Sequence, residues 1–508
     1  MANRSLRRLV DQRAAGSPDA LFLLDPETGR HLTFAGLRRY CLALAVKLSR
    51  YSLAPGERVA LLAPNGLEAA AMFVGLMAAG QVAVPLSLLS QPRQVAHLLD
   101  HADCRLVLAA ETQMAHLEAA LTQLPRSVTV VNISSVTEEG DDIWPNASPA
   151  GDDDALLMYT SGTTGRPKGV RLSHANLLAG ARFVSEAHAL GPDDRVLAVL
   201  PLYHVNAQVV TVLAPLFQGG SLVMPSSFSV GRFWSLAAGH GCTWLNLVPT
   251  MIAYLLNGED PSVDLSGLRF CRSASAPLAP EHHRAFEARF GIGIIETMGL
   301  TETAAPVFSN PLDPSRRKIG SPGLPFGNRA RVVDQVSARP LPFGCTGEIQ
   351  IRGPNVMRGY HKNVEATAAA FTPDGWLRTG DLGHRDRDGF YFVTGRLKEL
   401  IIKGGENIAP REIDEALLKH PALLEAATVG IPDPLYGQEI AAGVVVKPGM
   451  TVSEGELRAF CETELGGFKT PRIIEFLADL PKGPSGKVQR LRLFEGRQPA
   501  DIQLRSEP

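Results

Sequence analysis

Short apolar runs alternate with helix-like stretches through most of this 508-residue chain, and no other feature restricts its fold as much. RVALLAP (58–64) reads as a buried strand, and Leu67 to Ala79 follows as an Ala- and Met-rich helix. QVAVPL (81–86) is the next strand, Gln94 to His101 the next helix, and CRLVLAA (104–110) a further strand. VLAVLPL (196–202), GSLVMP (220–225) and TWLNLVP (243–249) continue the pattern. Runs this short and this apolar suit strands buried on both faces, as in largely parallel sheets covered by helices. The chain exceeds one core of ordinary size, so about two to four domains are expected.

The texture changes near Pro311, where Gly and Pro become dense and GEIQIRG (347–353) and GFYFVTGR (389–396) read as alternating or aromatic strands. After Arg396, REIDEALLKH (411–420) reads as an amphipathic helix, and AATVGIPD, IAAGVVVKP, EGELRAFCETEL and IIEFLADLP as strand, strand, helix, strand. The predicted class is therefore α/β. Residues 1–397 form a large domain of mixed, mostly parallel sheets flanked by helices, with a small β-rich subdomain at 311–397. Residues 398–508 form a small α+β domain. The acidic stretch VTEEGDDIWPNASPAGDDDA (136–155) reads as a solvated connector, and no repeat or low-complexity segment is present.

A formal net charge of −2 gives no basic surface of the kind nucleic acid demands, although a local basic site could still draw an anion. The six cysteines (Cys41, Cys104, Cys242, Cys271, Cys345, Cys461) show no CxxC pair or Cys/His metal spacing, and are expected to be reduced, mostly buried thiols. MANRSLRRLVDQRAAG lacks the apolar segment of a secretory signal and reads as a first amphipathic helix, with Leu6, Leu9 and Val10 on one side. No apolar run is long enough to span a bilayer, so the cytoplasm is the expected location.

One loop carries chemistry at unusual density. MYTSGTTGRPKGV, from Met158 to Val170, packs hydroxyls, glycines and two cations into a few positions. It is read as the joint between a strand (ALLMYT) and a helix (HANLLAGARFVSEA), presenting N–H groups and hydroxyls to an anion, with Arg166 and Lys168 offsetting polyphosphate charge. The Walker pattern GxxxxGK[ST] is absent.

YTSGTTGRPKG resembles the phosphate-loop signature of the adenylate-forming superfamily, the acyl-CoA and aryl-CoA synthetase branch in particular. The resemblance runs on in order along the chain: PLYHVNAQ (201–208) is similar to the family's acyl-pocket segment, SASAPL (273–278) to its adenine-side loop, and ETMGLTET (296–303) to its aromatic-Gly-x-Thr-Glu motif. GWLRTGDLG (375–383) resembles its ribose motif, GRLKELIIKGGENIAPREID (395–414) its hinge and the segment beyond, and PSGKVQR (484–490) its catalytic-lysine motif. What this implies is the adenylate-forming fold with a mobile C-terminal domain, and a two-step reaction. A carboxylate attacks the α-phosphorus of ATP to give acyl-adenylate and pyrophosphate; a thiol then displaces AMP. Bringing an anion to a polyanion requires cations and positioned donors more than covalent help.

The resemblance assigns roles residue by residue. Lys487 approaches the carboxylate and bridging oxygen during adenylation, with Lys482 nearby as a decoy. Thr160, Ser161, Gly162, Thr163, Thr164, Gly165 and Lys168 hold phosphates. Thr301 contacts phosphate, and Glu302 is the expected Mg²⁺ ligand, since a hard carboxylate with phosphate oxygens is ordinary magnesium chemistry. Ser275, Ala276, Glu296, Thr297 and Met298 flank the nucleotide. The family's usual aromatic is replaced by Met298, whose thioether can still pack on a purine. Asp381 takes the ribose hydroxyls, with Arg396 as a second contact. Lys398 falls at the hinge. Lys403, Gly404 and Gly405 are grouped with CoA binding, the glycines permitting a narrow pantetheine channel. His204 stands beside the acyl carboxylate, where amino-acid-activating relatives carry an aspartate, so an α-amino acid is disfavoured.

Tyr203, Asn206, Gln208, Trp244, Asn246, Thr297 and Thr303 are the pocket candidates, a mixture of aromatic surface and amides that fits a small ligand. A small or medium aliphatic or aromatic acid is expected. These stretches offer no extra arginine for a second carboxylate, so malonate and oxalate are not favoured. ATP, Mg²⁺ and coenzyme A are the implied cofactors. A separate acyl-carrier protein or an amine is the alternative acceptor, and a homodimer is an open expectation.

Overall fold

The computed structural model describes residues 5–135, 143–160, 167–483 and 488–495. Four sheets organise them. The run Arg58–Leu62, apolar after its first residue, and its neighbours Val82–Pro85 and Leu106–Ala109 pair in parallel inside a seven-stranded sheet, whose far edge turns antiparallel at Asp154–Thr160, Lys168–Ser173 and Gly359–Tyr360. Leu67–Ala78 is buried on nearly every face, as its sequence, apolar but for Glu68, demands of a helix held between layers. A nine-stranded sheet carries a parallel centre of Arg195–Leu197, Ser221–Val223, Trp244–Leu247, Phe270–Ser273 and Ile294–Leu300. One large apolar core runs between the two sheets.

The Gly/Pro-rich region forms an antiparallel sheet of Arg329–Val333, Gly347–Arg352, Leu377–Arg385 and Tyr391–Arg396. Beyond it a small C-terminal domain is built on five strands, with Leu423–Asp433 and Gly437–Val446 as its long hairpin and Pro410–Leu418 and Glu454–Leu465 as its helices. Its own core gathers Ile401, Ile413, Ile440, Val444, Leu457 and Ile474. The chain is thus α/β, with mixed sheets, flanking helices and a small C-terminal domain.

Two expectations are corrected. VLAVLPL is a strand only over Arg195–Leu197, because Pro201 cannot donate to a ladder and the chain turns away before it. The loop after ALLMYT does not lead into a helix. Lys168–Ser173 is a strand antiparallel to Asp154–Thr160, with Val170 and Leu172 fully buried at period two. The helix His174–Ala187 begins only afterwards, capped by Ser173, whose Oγ accepts the Asn176 N–H at 3.2 Å. All six cysteines are free, and Cys345 alone is exposed. Among the described residues no helix is long and apolar enough to cross a membrane.

Candidate active site

Ser161 to Arg166 lie outside the described residues, as does Lys487, but the stems of the loop are clear. Thr160 faces Lys168 across the hairpin. The segment between them therefore joins two antiparallel strands, not a strand and a helix N-terminus. Lys168 Nζ sits 4.8 Å from the centre of the Tyr360 ring, and the Tyr360 hydroxyl donates to Glu302 Oε1 at 2.9 Å. Burial, then the Glu302 charge, pushes the Tyr360 phenol up. A cation, a phenol and a carboxylate from three distant segments thus meet beside the loop. Tyr360 was missed by the sequence reading, because nothing local in RGYHKN signals a partner 58 residues away.

Thr301 and Glu302 are held by a short turn between Ile294–Leu300 and Ala305–Ser309. Gly299 is required there: a Cβ on it would lie 1.5 Å from the Ala305 carbonyl oxygen. Thr303, a pocket candidate, instead closes that turn by accepting the Leu300 N–H at 3.0 Å and is fully buried. Among the described residues no three His, Cys, Asp or Glu side chains cluster for a metal. A magnesium ion at Glu302 would draw its other ligands from phosphate oxygens and water, which is how this ion is usually bound.

A cleft of about 300 Å³ opens at the carboxyl ends of the central parallel strands, the usual place for a ligand in such sheets. Ser275, Ala276, Glu296, Thr297, Met298, Asp381 and Arg396 all line it. Arg411, Asp414, Glu425 and Arg490 close it from the C-terminal side. Ser275 holds a positive φ of 75°, an uncommon conformation for a residue with a side chain. Thr297 Oγ1 donates to the Ser273 carbonyl at 3.2 Å, which fixes the strand ends side by side.

Asp381 and Arg396 oppose each other on paired strands, and Arg396 Nε donates to Asp381 Oδ1 at 2.8 Å. Asp381 is 3 % exposed, yet among the described residues its Oδ2 has no partner. A buried carboxylate oxygen left open at a cleft is a ready acceptor for ligand hydroxyls. Glu296 is buried as well. Its Oε1 accepts the Leu278 N–H at 3.4 Å, and burial raises its pKa to about 7 against the opposing pull of Arg411 and of the Leu278 and Gly320 N–H groups.

The remaining predicted residues lie elsewhere. His204 stands on the turn after Pro201, half-buried, its ring edge-on to Tyr203 at 4.6 Å. Asn206–Leu213 follows as a helix of π type, closed by an Ala214 N–H to Val209 carbonyl bond, a form enriched at functional sites. Gln208 spends its amide on the Leu202 carbonyl, and Trp244 stacks on Phe270 in the core, so neither presents a pocket surface. Lys398 is exposed on a turn between the antiparallel sheet and the C-terminal domain. Gly404 and Gly405 form the tip of the hairpin Ile401–Lys403 and Glu406–Ile408, both at positive φ, outside the cleft. Lys403 is buried within the C-terminal sheet, 2.6 Å from Glu439 and 2.9 Å from the Phe468 carbonyl. Lys482 is committed to Glu425 at 2.9 Å and Asp479 at 2.6 Å, and reaches Tyr254 at 3.4 Å.

The sequence reading also passed over Arg272, the residue immediately before SASAPL. Its guanidinium is fully buried against Asn206 and Asn246, so an extra arginine does lie near the expected acyl pocket.

Known proteins resemble this chain along nearly its whole length. The family model for AMP-binding enzymes matches residues 10–361, and the model for the AMP-binding enzyme C-terminal domain matches residues 412–487. A sulfoacetate–CoA ligase of Cupriavidus necator is 54% identical, over 96% of this chain and 97% of its own. An oxalate–CoA ligase of Arabidopsis thaliana is 35% identical over 96% and 98%. Among solved structures, ATP-bound MatB from Rhodopseudomonas palustris superimposes with a TM-score of 0.87 at 30% identity, covering 96% of this chain and 98% of that one. An anthranilate CoA ligase in complex with anthranoyl-AMP gives 0.90 at 26% identity, covering 97% of each.

Proposed function

The chain belongs to the AMP-binding enzyme family, in its acyl-CoA synthetase branch, and from that premise we propose that the acid it activates is a short one bearing a second anionic group, as sulfoacetate does. It is an ATP-dependent acid–CoA ligase: carboxylate and ATP give acyl-AMP and pyrophosphate, and the CoA thiol then gives acyl-CoA and AMP. The observation that carries the substrate class is the 54% identity to the sulfoacetate ligase over nearly the whole of both chains.

The residues take the following parts. The Ser/Thr/Gly segment between Thr160 and Lys168 receives the triphosphate. Lys168 supplies charge there, steadied by the Tyr360 ring. Asp381 Oδ2 accepts ribose hydroxyls while Arg396 holds its other oxygen. Ser275, Ala276, Thr297 and Met298 form the wall beside the base and the acyl phosphate. Glu302 would hold magnesium, which when bound spreads the negative charge of the phosphates. Lys487 brings a compact positive charge to the attacking carboxylate, a part suited to an ammonium that must arrive and leave. Lys398, exposed between the antiparallel sheet and the C-terminal domain, is the pivot on which that domain turns between steps, bringing the Gly404–Gly405 tip to the thiol. The boundary near residue 398 belongs to this same proposal.

The test is pyrophosphate release and acyl-CoA formation with ATP, Mg²⁺ and CoA across sulfoacetate, malonate, oxalate, acetate, benzoate and octanoate. Preference for the acids with a second anion is expected. Preference for octanoate or benzoate would overturn the substrate class and leave the ligase chemistry standing.

A further inference from the structure

We propose that Arg272, held by Asn206 and Asn246, is the subsite for the second anionic group of the acid, a sulfonate or carboxylate one or two carbons from the carboxyl that reacts. The inference rests on the substrate class proposed above and assigns it to named side chains.

Arg272 lies near the carboxyl end of the central strand Phe270–Ser273, register-paired with Asn246 on Trp244–Leu247, so the two side chains share a face of the sheet. Its Nη1 donates to Asn246 Oδ1 and to Asn206 Oδ1, each at 2.8 Å. Asn246 Nδ2 also donates to Asn206 Oδ1, at 3.2 Å. Both amides are buried, and the guanidinium is 1% exposed. Among the described residues it forms no ion pair, and its Nε is buried without any partner. A guanidinium enclosed by neutral amides is expensive to bury, and the expense falls when an anion joins it. Desolvation is the main effect on it here, lowering its pKa to about 9.

The path from the cleft is short. Ser275, on the cleft wall, takes a hydrogen bond from Asn206 Nδ2 at 3.1 Å, and the same Asn206 side chain touches Arg272. One amide therefore separates the guanidinium from the cleft wall. Asn206 also opens the π-type helix that follows Tyr203 and His204, so the acyl segment and the arginine are tied through one residue. A planar fork of donors matches a carboxylate or sulfonate edge, which a lysine would not.

A purely structural strut would look similar, and substrate selectivity separates the two. The protein and its Arg272→Gln variant are assayed for acyl-CoA formation on sulfoacetate and on methylsulfonylacetate, its neutral isostere. The expected result is a loss of about 100-fold or more in kcat/KM on sulfoacetate with little change on the isostere. Equal losses on both acids would overturn the inference and make Arg272 a strut. Should the variant fail to fold, the unaltered protein decides: with a non-hydrolysable ATP analogue, sulfoacetate should raise the Tm and methylsulfonylacetate should not, and equal protection would overturn the subsite. If the unaltered protein uses neutral acids alone, the substrate class itself falls, a result distinct from a selectivity that survives Arg272→Gln.

Discussion

Two ion pairs with a buried carboxylate invite comparison. Lys403–Glu439, in the C-terminal sheet, is closed: the ammonium also meets the Phe468 carbonyl, and Glu439 Oε1 also accepts the Ile440 N–H. Asp381–Arg396, at the cleft, is open: among the described residues Asp381 Oδ2 has no partner, and the arginine side chain is 41% exposed. The chemistry is the same, a carboxylate and a cation on neighbouring strands. The difference lies in what is left over. A satisfied pair fixes structure, whereas a pair with a spare buried acceptor is poised for a ligand.

The comparison can be broken most forcefully at its closed side. Lys403→Met strands Glu439 in the core and should destabilise the protein by about 3–5 kcal/mol in chemical denaturation, while the folded fraction keeps its KM for ATP. A raised KM with unchanged stability would move Lys403 into the nucleotide site. On the open side the pattern reverses. Asp381→Ala should raise the KM for ATP about 100-fold with a small change in stability, because Arg396 can turn to water. An unchanged KM would remove Asp381 from the ribose site.

Glu296 sharpens the contrast, being a buried carboxylate with no cation at bonding distance among the described residues. Its pKa rises from an ordinary 4.5 to about 7, so the native state holds a proton that the unfolded chain has released. Stability from this group is full below about pH 4.5 and declines as pH rises through about 7. Glu296→Gln should flatten that part of the profile and stabilise the protein by about 2 kcal/mol at pH 8, read from denaturation midpoints. A profile that keeps its slope would assign the decline to another group. The smallest effect is expected at Tyr360→Phe, which removes the donor to Glu302. A change of about 1 kcal/mol, or roughly fivefold in the magnesium dependence of adenylation, should appear. No change would separate Glu302 from the metal.

The sequence shows some of this plainly. Leu67–Ala78 and the strands around it are legible because, Glu68 and Arg58 at their starts aside, they are apolar and buried along their length. Asp381, Arg396, Ser275 and Thr297 were named in advance from ordered motifs, and they share one cleft. What stayed hidden depends on distance or on compensation. Lys168–Ser173 has only two buried apolar positions and sits next to a strong helix signal, so its strand was absorbed into the loop. Arg272 reads as a surface residue by type, and its burial follows from amides 26 and 66 residues away. Lys403 groups with CoA binding by its motif, but its partner Glu439 lies on another strand of the same sheet.

The hairpin that replaced the expected strand-to-helix joint also bears on how the site assembles in time. Thr160 and Lys168 are separated by eight positions, and Asp381 and Arg396 by 15. Each such pair closes a short chain segment, and short closures are entropically cheap and fast. The links that gather these pieces are of another order, with 58 positions between Glu302 and Tyr360 and 66 between Asn206 and Arg272. Folding should thus form these hairpins early, as local modules, and mutual placement should follow only when the large sheets dock.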